Sequence, residues 1–217
     1  MRASVDYLSP ILDELQKPWP QGRTVNIVCH GHSVPAGYFA TPYVDTFGAY
    51  PHLLHRIIKE RFPFAVVNVI VTAIGGENSV RGAERFEADA LRHGPDVVTI
   101  DYGLNDRAIG LGAARAAWER MIRLAQSGGA RVILLTPSWD QSYLARGADW
   151  HALLEHAEQI RALADAHGVA LADACRRFAD SVRSDEDLPA LLSHVNHPSR
   201  LAHGMIAAEL GKFFMAR

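Results

Sequence analysis

The sequence predicts a doubly wound α/β fold, a parallel sheet with helices on both faces. Two observations carry that prediction. Five short apolar runs, rich in β-branched residues, recur at Val25–His30, Val66–Thr72, Val97–Asp101, Val132–Thr136 and Val169–Ala172. They do not alternate with polar residues, which is the pattern of strands buried on both faces in a parallel sheet. Between them lie stretches of helical period, so strand and helix alternate along the chain.

Taken in order, a short helix over about Val5–Gln16 precedes the first run. Leu53, Leu54, Ile57 and Ile58 repeat at helical spacing before the second. Asn78-Ser79 can cap a helix that runs to about His93, and Gly94-Pro95 ends it. Ala117, Trp118, Met121, Ile122 and Ala125 form the next apolar stripe, and Leu153, Leu154, Ala157, Ile160 and Leu163 another. Ile206, Leu210, Phe213 and Phe214 form the last. The longest irregular stretches are about Pro137–Asp149 and Arg183–Pro198, and loops of that length are often functional. No repeat, linker or low-complexity tract divides the chain, so 1–217 reads as a single domain.

Composition narrows the function classes. At 48% hydrophobic residues the chain can bury a sizeable core, and 21% charged residues exclude global disorder. The formal net charge of -2 offers no basic excess for a nucleic acid. Cys29 and Cys175 lie far apart with no CxxC pattern, so neither a disulfide scaffold nor a zinc ribbon is expected. Asp6, Asp13 and Glu14 near the start leave no apolar secretory region, and no uncharged run reaches a membrane span. The expectation is a cytoplasmic protein with a small-molecule substrate and no nucleic-acid partner; oligomeric state has no signature in the sequence.

In a parallel sheet the segments that follow the strands share one edge, where ligands bind. Gly31-His32-Ser33 through Gly37 follows the first run, and Gly75-Gly76-Glu77-Asn78-Ser79 the second. Gly103-Leu104-Asn105-Asp106 follows the third. His194-Val195-Asn196-His197-Pro198 comes after the fifth and one further short helix. A serine hydroxyl needs a base to act as a nucleophile, and acyl transfer needs donors aimed at the developing oxyanion. Ser33 is therefore the candidate nucleophile and His197 the base. The backbone N–H groups of Ser33 and Gly76 and the side-chain amide of Asn105 are candidates for the oxyanion hole. An unperturbed histidine base would make activity rise from about pH 5.5 to 7.5.

On these residues the chain resembles the SGNH hydrolases, the GDSL-type esterases and lipases. Gly31-His32-Ser33 with Gly37 is similar to their first block, GDSxTxG, and Gly76 to the glycine of the second. Gly103-Leu104-Asn105-Asp106 matches the third, GxND, and His197-Pro198 with His203 is similar to the last, HPxxxGH. The resemblance implies a three-layer α/β/α sandwich with a five-stranded parallel sheet, flavodoxin-like in class. It also implies a cofactor-free serine esterase or acylhydrolase that cleaves a carboxylic ester or thioester through an acyl-enzyme, acetylated sugars and lysophospholipids being among the family's substrates. A catalytically weak or inactive ligand-binding member of the same fold is the alternative.

Two positions depart from the family pattern. His32 stands where the family has aspartate, and His194 stands where the family places the triad acid, three residues before the histidine. Asp185, Glu186 and Asp187 lie in the same loop as His197, and Asp187 is nearest. The other arrangement is a Ser-His dyad in which a backbone carbonyl or the His194 ring orients His197. The sequence favours the dyad or a weakly assisted pair. The histidines at 30, 32, 194 and 197 lack a carboxylate at a metal-site spacing, so no metal is expected. Trp139, Tyr143 and Trp150 read either as anchors of the long loop or, for Trp139 and Tyr143 in particular, as walls of an acyl or sugar pocket.

Overall fold

The structure is a computed structural model that describes residues 5–215. The five apolar runs are its five strands: β1 (Val25–Gly31), β2 (Val67–Val71), β3 (Val97–Asp101), β4 (Arg131–Leu135) and β5 (Ala170–Ala172). All pair in parallel, in the order β2-β1-β3-β4-β5. The helices are α1 (Ser9–Leu15), α2 (Ser33–Ala36), α3 (Tyr50–Arg61), α4 (Ser79–Arg85), α5 (Gly110–Ser127), α6 (Ser142–Ala145), α7 (Ala148–His167), α8 (Ala174–Ser181), α9 (Leu188–Leu191) and α10 (Arg200–Met215).

Successive strand residues point to opposite faces, which divides the core in two. Ile27, Cys29, Ile133 and Leu135 face α1, α3, α8 and α10. Val28, Val98, Ile100, Val132 and Leu134 face α4, α5 and the C-terminal half of α7. Apolar residues on both faces therefore mean helices on both faces, a three-layer sandwich. No helix among the described residues is long and apolar enough to cross a membrane.

Two segments differ in detail from their sequence reading. The helix expected from Asn78 to His93 starts as foreseen, since the Asn78 side chain accepts the Arg81 N–H. It then relaxes into a π turn over Phe86–Ala90 and a 3₁₀ turn to Gly94, whose φ of 56° ends it. The stretch 137–149 is less irregular than expected: it holds α6, and α7 begins at Ala148.

The strand order places the topological switch between β1 and β3, whose register brings Gly31 opposite Asp101. The segments that leave these two strands carry Ser33 and Asn105, so both emerge at the crevice where such sheets bind ligands.

Candidate active site

Ser33 is the first residue of a one-turn helix that leaves β1, tied to the end of β3 by the His32 N–H, which donates to the Asp101 carbonyl at 3.2 Å. A Cβ on Gly31 would come within 2.5 Å of the Asp101 carbonyl oxygen and 2.7 Å of Pro35 Cγ, so only glycine lets the chain turn there. His32, at the family's aspartate position, caps the turn. Its Nδ1 accepts the Val34 N–H at 3.2 Å, which puts its proton on Nε2, 3.5 Å from Asp101. An aspartate oxygen can cap a helix in the same way, so the substitution keeps the turn.

His197 is brought to Ser33 by a loop closed on itself. Leu192 bridges Pro198, and Ser193 donates to the His197 carbonyl from both its backbone N–H (2.9 Å) and its hydroxyl (3.2 Å). The His197 Nε2 atom lies 3.0 Å from Ser33 Oγ. Its Nδ1 lies 2.7 Å from the backbone carbonyl oxygen of Phe39. A carbonyl only accepts, so Nδ1 carries the hydrogen and Nε2 offers its lone pair to the serine hydroxyl. Burial pulls the His197 pKa below the ordinary histidine range, and the Phe39 carbonyl offsets part of this.

Of the acidic residues of the same loop, Asp187 and Asp185 are engaged elsewhere and Glu186 is exposed. The Asp187 carboxylate accepts the N–H groups of Arg183 and Ser184 and the Ser184 hydroxyl. Asp185 pairs with Arg146. His194 is exposed and donates nothing to the His197 ring.

Gly76 sits at a φ of 77°, in the left-handed region that favours glycine, and borders the cleft with Ser33, Asn105 and His197. The Asn105 amide donates to the Glu77 carbonyl at 2.9 Å and has a second N–H for an oxyanion. Asp106, the last residue of that block, is structural. Its carboxylate accepts the Ser79 N–H at the start of α4 and the Trp118 indole N–H. His203 also supports rather than reacts: its Nδ1 accepts the Tyr50 N–H at 3.2 Å, and burial lowers its pKa to about 3. Its ring packs 4.9 Å from that of Phe39, the residue whose carbonyl holds His197.

Trp139 and Tyr143 do not border the cleft at Ser33. Their rings stack on each other at 4.7 Å, with Trp150 edge-on to both. The Trp139 indole N–H points at Cys175 Sγ, 3.3 Å away, within the core beneath α7 and α8. The backbone of this loop does reach the loop that carries His197, where the Gln141 N–H meets the Val195 carbonyl, but the large rings turn inward because burial gains more there. Instead, Tyr38, Thr41 and Asn196 line the cleft. The Tyr38 ring is 5.9 Å from that of His197 and packs on Gly75. Sequence inspection misses Phe39 because its role is played by a carbonyl every residue has. It misses Tyr38 because a lone tyrosine carries no spacing. No group of three or more His, Cys, Asp or Glu among the described residues could hold a metal ion.

Against known proteins, residues 29–205 match the GDSL-like Lipase/Acylhydrolase family. The chain belongs to that family. No curated protein matches the sequence. Among solved structures, a lipolytic protein of the G-D-S-L family from Desulfitobacterium hafniense is similar at a TM-score of 0.70 and 20% identity, over 87% of this chain and 99% of the other. The lipase/acylhydrolase from Enterococcus faecalis gives 0.70 and 23% over 86% and 93%. An acetyl xylan esterase from Geobacillus stearothermophilus gives 0.77 and 17% over 89% and 95%. Identities this low speak to fold, and the family membership speaks to chemistry: this GDSL-like acylhydrolase is a serine hydrolase acting on ester bonds.

Proposed function

We propose that Ser33 and His197 form a catalytic dyad that hydrolyses a short-chain ester of a polar alcohol through an acyl-enzyme. The observation that carries the reading is the 3.0 Å approach of His197 Nε2 to Ser33 Oγ, with Nδ1 tied to a carbonyl that fixes the tautomer. The Ser33 hydroxyl gives its proton to His197 Nε2 as Oγ attacks the ester carbonyl. The oxyanion meets the N–H groups of Ser33 and Gly76 and the Asn105 amide. As the intermediate collapses, the His197 imidazolium protonates the departing alcohol. Water then loses a proton to the same nitrogen and attacks the acyl-serine, which releases the acid and restores Ser33.

The cleft supports a small acyl group and a polar leaving group. It has a volume of about 410 Å³ and is lined by glycine, hydroxyl, amide and imidazole groups with no aliphatic side chain. Acetylated sugars fit that description; the Geobacillus neighbour acts on acetyl xylan and another neighbour on acetylated mannans. A fluorophosphonate probe tests the nucleophile: it should label the folded wild type and leave Ser33→Ala untouched. Equal labelling of both would remove Ser33. A series of acyl esters tests the substrate, and faster turnover of long-chain than of acetyl esters would overturn the short-chain reading.

A further inference from the structure

The Thr72–Glu77 segment, which carries Gly75 and Gly76, is fastened at both ends by one side chain. Arg85, the last residue of α4, places Nε 2.9 and 3.0 Å from the two Glu77 carboxylate oxygens and Nη2 2.5 Å from Oε2. Its Nη1 donates to the Thr72 carbonyl at 2.7 Å and to Asp89 at 3.2 Å. The Tyr102 hydroxyl, just after β3, donates to Glu77 Oε2 at 3.0 Å and accepts from Arg85 Nη2 at 3.2 Å. Glu77 is 8% exposed. Its own carbonyl accepts the Asn105 amide, so one residue joins the guanidinium to Asn105 and is bonded in sequence to Gly76.

We propose that Arg85 is a positioning residue for the oxyanion hole: by holding Glu77 and Thr72 together it sets the Gly76 N–H and the Asn105 amide at a fixed separation. The proposal rests on the Ser33 reading given above. Arginine is suited to this because its planar fork serves a carboxylate in bidentate fashion and still reaches a carbonyl beyond it. A lysine is a point charge and serves one of them. Removing the fork also leaves the Glu77 carboxylate buried with one hydroxyl, and a carboxylate in that state moves toward water and takes its backbone with it.

A staple that served stability alone would lower Tm when cut and leave the folded enzyme's turnover intact. A positioning role predicts a selective loss of transition-state stabilisation. The test uses the full chain with an acetyl ester and, as a probe, an alkylboronic acid, which forms a tetrahedral anion on a nucleophilic serine. Misplacement by about 1 Å can cost about 100-fold in rate, so Arg85→Lys should lower kcat by about 10- to 100-fold with KM little changed. The boronate inhibition constant should rise by a similar factor. Millimolar guanidinium should restore part of kcat in Arg85→Ala and none in Ser33→Ala. Wild-type kcat and boronate affinity in folded Arg85→Lys would overturn the proposal. If Arg85→Lys does not fold, Glu77→Gln, which keeps the side-chain shape and the Asn105 contact, decides in the same way. Turnover that survives in Ser33→Ala overturns the serine reading and this proposal with it. Turnover lost in Ser33→Ala but unchanged in Arg85→Lys overturns the positioning role alone.

Discussion

His197 Nδ1 lies 2.7 Å from the carbonyl oxygen of Phe39, where a serine triad would place a carboxylate. The carbonyl fixes the tautomer as a carboxylate does, but in the proposed dyad it would bring no negative charge to the imidazolium. The Ser33–His197 pair is thus correctly oriented and electrostatically under-supported.

The Asp187 carboxylate is bound by the backbone at Arg183 and Ser184. Asp187→Asn should therefore keep near-wild-type turnover in an ester assay that shows none for Ser33→Ala. A drop of several orders of magnitude in Asp187→Asn, in folded protein, would show that this carboxylate reaches His197 during turnover.

Asn105→Ala removes one proposed oxyanion donor and the hydrogen bond to the Glu77 carbonyl. Loss of one such donor typically costs about 10²–10³ in kcat. The variant should fall at least that far, and thermal unfolding should show the fold intact. Full activity would take Asn105 out of the mechanism.

In the proposed dyad His197 must be neutral to accept the serine proton, and burial holds its pKa below the ordinary value. The acid limb of kcat/KM should accordingly have its midpoint below about 6.5, the unperturbed histidine value. Activity then persists further into acid than an ordinary histidine base allows. A midpoint above that value, from a pH–rate profile, would contradict the burial argument.

Trp139 is buried against Tyr143, Trp150 and Cys175 and does not line the Ser33 cleft. Trp139→Ala should cost about 3–5 kcal/mol of stability, as deletion of a core aromatic does, and leave the ranking of esters unchanged. Urea unfolding and an ester series on the folded fraction measure the two effects separately. A changed ranking with unchanged stability would place the indole at the substrate after all.

His30 and His203 are buried and neutral, with pKa values lowered to about 4 and about 3, in both cases chiefly by burial. In the unfolded chain they titrate near 6.5. Their contribution to stability is present in full above that value. It is lost as pH falls toward 4 and below, because the unfolded state binds protons the native state excludes. Urea unfolding should give lower stability at pH 5 than at pH 7. His30→Gln, which removes one of these groups, should flatten the difference.

The sequence alone pointed to the sheet, because β-branched apolar runs with no alternation, separated by stretches of helical period, are the pattern of strands packed between helix layers. It also pointed to which residues meet at the carboxyl edge, since each of Ser33, Gly76 and Asn105 lies in the segment that follows a strand. Tertiary structure decided what no residue type announces. The partner of His197 Nδ1 is a main-chain carbonyl, a group common to every position. The inward turn of Trp139 depends on the space beneath α7 and α8. The clamp of Arg85 on Glu77 and Thr72 joins residues of a strand end, a loop and a helix, and only the packing of those elements brings a guanidinium within hydrogen-bond reach of both.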